Sequence, residues 1–351
     1  MVVTQPPPSP ARNAQPVADA SARAIEFFGR RFGPYPYGDL ALTQMPGAMS
    51  QGWPGLIFLS SFSFLTAEER SQLHMSPIVK TLSETVIAHE TAHQWWGDLV
   101  VWSGYRDQWI VEALANYSSL MLLESEDPSK FRAVMEKYRE DLLEKNKEGV
   151  PLMDAGPVTL GTRLSCSRFP TGYEAISYGR GTWLFHMLRN MLRDAEQKSG
   201  RARGSVAEDE PFVRALRKVR ERYQEKSIAT RELLRVFEEE LPPSLWYEGR
   251  KSLDWFYQGW VNGSAIPRLE LQGVRYTDKA GSTAISGTIR QQSAPQELVT
   301  SVPVYGTLAG KVVLLGRVFA DGPETQFHLS APAGTRKLVL DPNHSVLARG
   351  R

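Results

Sequence analysis

The sequence predicts an α+β multidomain fold: a mostly helical region with a small β-sheet near its start, followed by a β-sandwich. Three observations carry this. From residue 81 to about 260 the dominant apolar period is helical. Two strand-like segments, 39–43 and 56–64, precede it, separated by a Gly- and Pro-rich stretch from 46 to 55. After Gly263-Ser264 the pattern changes to short β-rich segments divided by turn signals.

Residues 1–18 read as a Pro-rich linker, with Pro6, Pro7, Pro8, Pro10 and Pro16 among small and polar residues. No basic segment followed by an apolar stretch marks a signal peptide there. Over 20–32, Ala20, Ala24, Phe27 and Phe28 recur at helical spacing, and Gly33-Pro34 ends the run. The longest apolar-looking run, 55–65, is broken by Ser60, Ser61 and Ser63 and falls short of the roughly 18 residues of a membrane span. The mixed-charge stretches 130–148 and 201–226 read as solvated helix faces and loops. The β segments are 269–274, 283–289, 299–308, 312–319, 325–329 and 337–340, with turns at Ala309-Gly310, Asp321-Gly322-Pro323 and Asp341-Pro342-Asn343. The expected boundaries are a helical domain over 19–265 and a sandwich over 266–351.

At roughly 150 residues per domain, the 351 residues suit two folded units, and 42% apolar residues suffice for a core in each. The 41 basic and 39 acidic residues leave a net charge of +2, so no bulk positive field draws the chain to nucleic acid. The single cysteine, Cys166, excludes an internal disulfide or a thiolate-rich zinc cluster, so a metal here must sit on His and carboxylates. It leaves the compartment open.

The informative segment is His89-Glu90-Thr91-Ala92-His93, an H-E-x-x-H inside a helical pattern. Thr81-Leu82-Ser83-Glu84 upstream has the form of a capping box, and Gly97 supplies a stop. Residues four apart project from one helix face, so His89 and His93 can ligate one Zn²⁺. Glu90 then lies beside the metal, placed to take the proton of a water that the metal acidifies and to deliver it to the leaving amine. With 6 histidines in the chain, such a motif arises by composition alone on the order of once in a hundred sequences. A third ligand is needed. Glu112, in a helix-like stretch over 107–124 among Trp109, Ile110, Val111, Ala113 and Leu114, is the candidate, because a carboxylate in apolar surroundings needs a partner.

With 18 residues between His93 and Glu112, the pattern H-E-x-x-H-x18-E resembles the signature of the aminopeptidase N family of gluzincin zinc metallopeptidases. The segment from His93-Gln94-Trp95-Trp96-Gly97-Asp98 to Leu99-Val100 is similar to the family's segment after its second histidine. Phe32-Gly33-Pro34-Tyr35-Pro36-Tyr37 resembles its entry to the catalytic domain. The resemblance covers about 20–267, and the β segments after it are similar to the family's small sandwich domain. It implies a thermolysin-like catalytic domain, one Zn²⁺ per chain, peptide or protein substrates, and Glu90 as base. It also implies an oxyanion-donating tyrosine, for which Tyr178-Gly179-Arg180-Gly181 stands where the family usually has Tyr-Glu-Lys-Gly. The donor set favours zinc and also accommodates Co²⁺ or Mn²⁺. His74, His186, His328 and His344 are expected outside the ligand set, and Trp95, Trp96, Trp102 and Trp109 in the core.

Two departures from the family pattern bear on specificity. Its Gly-Ala-Met-Glu-Asn strand pairs with substrate, and the Glu holds the peptide's free α-ammonium. Here Gly47-Ala48-Met49-Ser50-Gln51 occupies that place, without the carboxylate, with about two residues inserted before the continuation of the strand. These five are the candidate substrate-binding residues. A hydroxyl or amide does not offset a desolvated ammonium, so the demand for a free N-terminus is weakened, and endo- or oligopeptidase action comes into view. The family's large flanking domains have no counterpart in the sequence, which suits a piece of a longer protein or a reduced form with an open cleft. A non-catalytic, zinc-containing interaction module, using the groove or the sandwich domain, is the alternative. An epoxide hydrolase on the same site is a third reading that no residue specifically favours.

Overall fold

The computed structural model describes residues 13–198 and 209–350. The first helix, α1 (Ala14–Phe32), starts earlier than the sequence pattern indicates. Residues 14–18 are therefore helical and not linker; residues 1–12 of the expected linker lie outside the described part. Pro16 permits this because it falls in the first turn, where a backbone N–H has no helical partner to lose. Val17 is buried with Ile57, Leu59, Phe64 and Ile87 in one apolar cluster.

A three-stranded sheet follows, in the order β1 (Ala41–Met45), β3 (Leu56–Ser60), β2 (Gln51–Trp53). β1 runs parallel to β3 and β2 antiparallel to it, so β2 is an edge strand. Strand β2 lies inside the stretch that the sequence pattern assigns to a separator. The expected second strand ends at Ser60, where a 3₁₀ turn over Ser61–Phe64 begins.

After a short α2 (Ala67–Gln72), the long α3 (Pro77–Ala92) begins at Ser76, whose hydroxyl accepts from Val79 N–H. The Thr81–Glu84 capping box is thus displaced: Ser76 followed by Pro77 is the stronger start, and Thr81 sits inside the helix donating to the Pro77 carbonyl. α3 also ends before Gly97, at Ala92, with His93 as its C-cap. Three helices cross it or one another: α4 (Trp109–Glu126), α5 (Pro128–Leu143, capped by Asp127) and α6 (Gly181–Lys198). A 3₁₀-rich connection and a π-helical turn, Glu174–Arg180, lead into α6. α7 (Pro211–Tyr223) and α8 (Thr230–Glu238) follow, with charges paired between α7 and the residues just past α8, as in Arg214–Glu240 and Lys218–Glu239, and a short helix, Asp254–Phe256, runs on into a second π-helical turn, Tyr257–Val261. The helical stretch is interrupted by a parallel pair, β4 (Val100–Trp102) with β5 (Lys226–Ile228). Trp95, Trp96 and Trp109 are fully buried as expected; Trp102, on β4, is exposed.

The six β segments form two antiparallel sheets. One is β10 (Glu324–Pro332), β7 (Ser282–Gln292), β6 (Arg268–Lys279); the other is β11 (Arg336–Leu340), β8 (Val299–Leu308), β9 (Lys311–Asp321). Ile285, Ile289 and Phe327 of the first share an apolar cluster with Val302, Val304 and Leu315 of the second. These sheets are not independent of the helices. Arg317 on β9 pairs with Asp194 on α6, both buried, and Trp260 Nε1 donates to the Val299 carbonyl at 2.9 Å. Ile266, Leu298, Val346 and Leu347 belong to the helical core cluster.

Candidate metal centre

His89 lies in the last turn of α3 and His93 caps it, so both rings leave the same face. Their Nε2 atoms are 3.1 Å apart, Glu112 Oε2 is 3.6 Å from His93 Nε2, and the three donors lie within 4.8 Å of one another. Donors around a tetrahedral zinc with bonds near 2.05 Å stand about 3.3 Å apart, so the set fits that ion. Among the described residues no other group of His, Cys, Asp or Glu converges in this way. His93 Nδ1 is 2.8 Å from the Trp96 carbonyl, which requires an N–H there and turns Nε2 toward the other two donors. Burial, then the neighbouring His93 ring, hold the pKa of His89 well below its usual value, keeping it neutral and able to ligate.

Glu112 sits in the first turn of α4. That turn is fastened to the start of α8: the Asp107 carboxylate accepts from Thr230 N–H and Oγ1, each at 2.8 Å, and Trp109 Nε1 donates to Thr230 Oγ1.

Glu90 is 7% exposed, under the edge strand, and the Gly52 N–H donates to its carboxylate. Burial, with Glu112 and Asp98 nearby, raises its pKa to about 7 against the opposing effects of His93 and the Gly52 bond. A carboxyl poised near neutrality is what a group that both accepts and returns a proton needs.

Tyr178 stacks on His89 with ring centroids 5.7 Å apart, and its hydroxyl is hydrogen-bonded to Glu112. Burial and Glu112 push the phenol's pKa up, so it remains a donor. The residue after it, Gly179, is buried beside the Tyr138 side chain, and nothing in the structure accounts for glycine in place of an acidic residue there.

A cleft of about 810 Å³ opens onto His89, Glu90 and Tyr178. Of the candidate substrate-binding residues, Ala48, Met49 and Ser50 line it; Gly47 and Gln51 do not. Ser50 Oγ accepts from Ser60 N–H at 2.9 Å, and Ser60 Oγ donates to the Gly47 carbonyl, so this loop is stitched to the end of β3.

Three participants escaped sequence reasoning. Gly52 is one. Gln94, fully buried, is another: its amide donates to the Trp53 carbonyl and to Asp98, and its oxygen accepts from Gly55 N–H and Tyr35, clamping the β2–β3 turn to the end of α3. Its place directly after His93 was the available signal. Tyr173, five residues before Tyr178, lies with its ring centroid 6.0 Å away. Five residues in an α-helix separate side chains by about 140°, and only the π-helical turn brings them together.

The family model for the peptidase family M1 domain matches residues 17–260. The chain belongs to peptidase family M1, the aminopeptidase N family of zinc metallopeptidases. Its relatives include the Tricorn protease-interacting factor F2 of Thermoplasma volcanium, 27% identical over 191 residues. Endoplasmic reticulum aminopeptidase 2 of Bos taurus is 28% identical over 188 residues, and aminopeptidase N of Lactococcus lactis subsp. cremoris 29% over 196. Each match covers 52% of this chain but only 23%, 19% and 21% of the respective relative. Among the described residues no helix is long and apolar enough to cross a membrane.

Proposed function

We propose that this M1 chain hydrolyses peptide bonds with one Zn²⁺ held by His89, His93 and Glu112, in a thermolysin-like catalytic domain that begins with α1 at Ala14 and runs to about residue 265, followed by a β-sandwich domain over 266–351. The observation that carries the reading is the convergence of three donor atoms, two imidazole and one carboxylate, beside a buried carboxyl, Glu90, and a partly buried phenol, Tyr178, where His89, Glu90 and Tyr178 line one cleft. The metal, when bound, supplies a Lewis acid that polarises the scissile carbonyl and acidifies water. Glu90 takes the proton of the attacking water and passes it to the departing nitrogen; such a group contributes about 10² to 10⁴ in rate. Tyr178 donates its hydroxyl proton in a hydrogen bond to the carbonyl oxygen as negative charge gathers there, worth about 10² to 10³. The Ala48–Ser50 segment that lines the cleft ahead of β2 offers main-chain groups to an extended peptide, which would hold the scissile bond without reading side chains.

The relatives that bear the name aminopeptidase set the expectation of one-residue trimming, and Ser50 argues against it. Its oxygen already accepts a backbone hydrogen bond, and a neutral hydroxyl does not balance an ammonium taken out of water. The reading adopted is therefore a peptidase that does not demand a free N-terminus.

The test is mass spectrometry of the products from one decapeptide, free and N-acetylated, each with and without a zinc chelator. Chelator-sensitive internal cleavage of both forms is the expected result. Stepwise trimming of the free form alone would make the chain an aminopeptidase with another anchor, and no cleavage of either would favour a binding module.

A further inference from the structure

We infer that Arg180 is a positioning residue: from behind the π-helical turn it fastens the Tyr178 segment to the carbonyls of the Trp260–Ala265 junction and so sets the aim of the phenol. The inference rests on the oxyanion role proposed for Tyr178.

Arg180 is fully buried, and among the described residues no carboxylate pairs with it. Its Nη1 donates to the Ser264 and Ala265 carbonyls at 3.0 and 3.3 Å and its Nη2 to the Trp260 carbonyl at 3.0 Å, while Nε has no partner. Burial pushes its pKa down to about 9, which leaves it charged at neutral pH. A buried charge without a counter-charge costs several kcal/mol, and an apolar side chain of the same volume would be cheaper to hold. What the guanidinium provides instead is three directed bonds to main-chain carbonyls. Gly179 and Gly181 flank it, so over Tyr178–Gly181 the only side chains are the phenol and the guanidinium. Two residues apart on a helical turn, they leave on different sides. Tyr178 faces the cleft; Arg180 faces the junction. The junction is itself held by the β11–β8–β9 sheet, because the Trp260 indole donates to the Val299 carbonyl on β8. Tyr178 is thus connected through Arg180 and Trp260 to the β-sheet unit, and slack anywhere along that line reaches the phenol. A misplacement of about 1 Å at a reacting group costs on the order of 10²-fold in rate.

The experiment is a double-mutant cycle with Tyr178→Phe, Arg180→Met, the double variant, and Arg180→Lys, scored by kcat, KM and zinc per chain on a peptide that the wild type cleaves. Arg180→Met is expected to lower kcat at least tenfold with KM within about twofold and one zinc retained. Its loss should vanish in the Tyr178→Phe background, because there is then no phenol to aim. Arg180→Lys, which keeps the charge and reaches fewer carbonyls, should fall between and covers the case in which the methionine variant does not fold. A second readout needs no metal or turnover: the Tyr178 ring signals in the NMR spectrum of the metal-free protein, displaced by the stacked His89 ring, should shift in both Arg180 variants. Losses that multiply across the cycle, or an unshifted ring, would overturn the inference and leave the Tyr178 reading standing. Wild-type kcat in Tyr178→Phe would instead remove the oxyanion reading and this inference with it.

Discussion

Gly52 and His93 touch so closely that a Cβ at position 52 would stand 2.9 Å from the His93 Cβ and 3.0 Å from the Glu90 carbonyl oxygen. No positive φ forces glycine there; the requirement is contact between β2 and the metal helix. Gly52→Ala is expected to push the edge strand outward and break the Gly52 N–H bond to Glu90. The loss in kcat/KM should reach at least tenfold, at a stability cost of about 1–3 kcal/mol for overpacking. Peptide kinetics with denaturant unfolding check both.

Glu90→Gln keeps the shape and loses the base. Since Glu90 is not among the converging donors, the variant should hold one zinc per chain by elemental analysis while kcat falls about 10² to 10⁴. Full activity would remove Glu90 from the mechanism.

Chelation should stop turnover and leave helical circular dichroism in place. The core around α3, α4 and α6 is built from apolar side chains such as Phe28, Trp95 and Leu120, none of which depends on an ion. Collapse of the spectrum on chelation would instead make the metal structural.

His186 gives a pH signature away from the metal. Burial first, then Arg189 and Arg193, push its pKa from 6.5 down to about 3, and the Tyr117 hydroxyl lies 3.0 Å from its Nδ1. Below about pH 6.5 the unfolded chain takes up a proton that the folded chain refuses, so stability falls as pH drops from 6.5 toward 3. His186→Gln, which carries no such proton, should show a shallower decline over pH 6.5–4.5, by up to about 1.4 kcal/mol per pH unit. Urea unfolding at a series of pH values measures the difference; identical slopes would show that His186 protonates in the fold.

Asp194 and Arg317 join α6 to β9 with side chains 8% and 4% exposed. Removing one partner, as in Arg317→Met, leaves the other charge buried and should cost about 3–5 kcal/mol, whereas a well-packed apolar replacement of both should cost much less. Denaturant midpoints of the single and double variants give the comparison.

The parts of the site that sequence made legible are those set by spacing along one element. His89, Glu90 and His93 share a helix turn, Glu112 opens the next long helix, and six strands after residue 263 carry their own alternation and turns. The parts that escaped depend on meetings between distant segments. β4 pairs with β5 from more than a hundred residues away, and neither has a local pattern to announce it. Gly52 reads as one more turn glycine until β2 is laid across α3. Two capping signals competed for the start of α3, and Ser76-Pro77 prevailed over Thr81–Glu84 because the earlier start adds a turn of helix at no loss of end satisfaction.

The family match stops at residue 260, yet the material sealing that end of the helical core comes from further along: Leu298, Val346 and Leu347 fill it, and Val299 receives the indole proton of Trp260. The stretch recognisable by descent is therefore shorter than the stretch that must fold cooperatively. A protein trimmed to the inherited boundary would keep every donor of the metal centre in its sequence and lose apolar side chains that close the far end of the helical core.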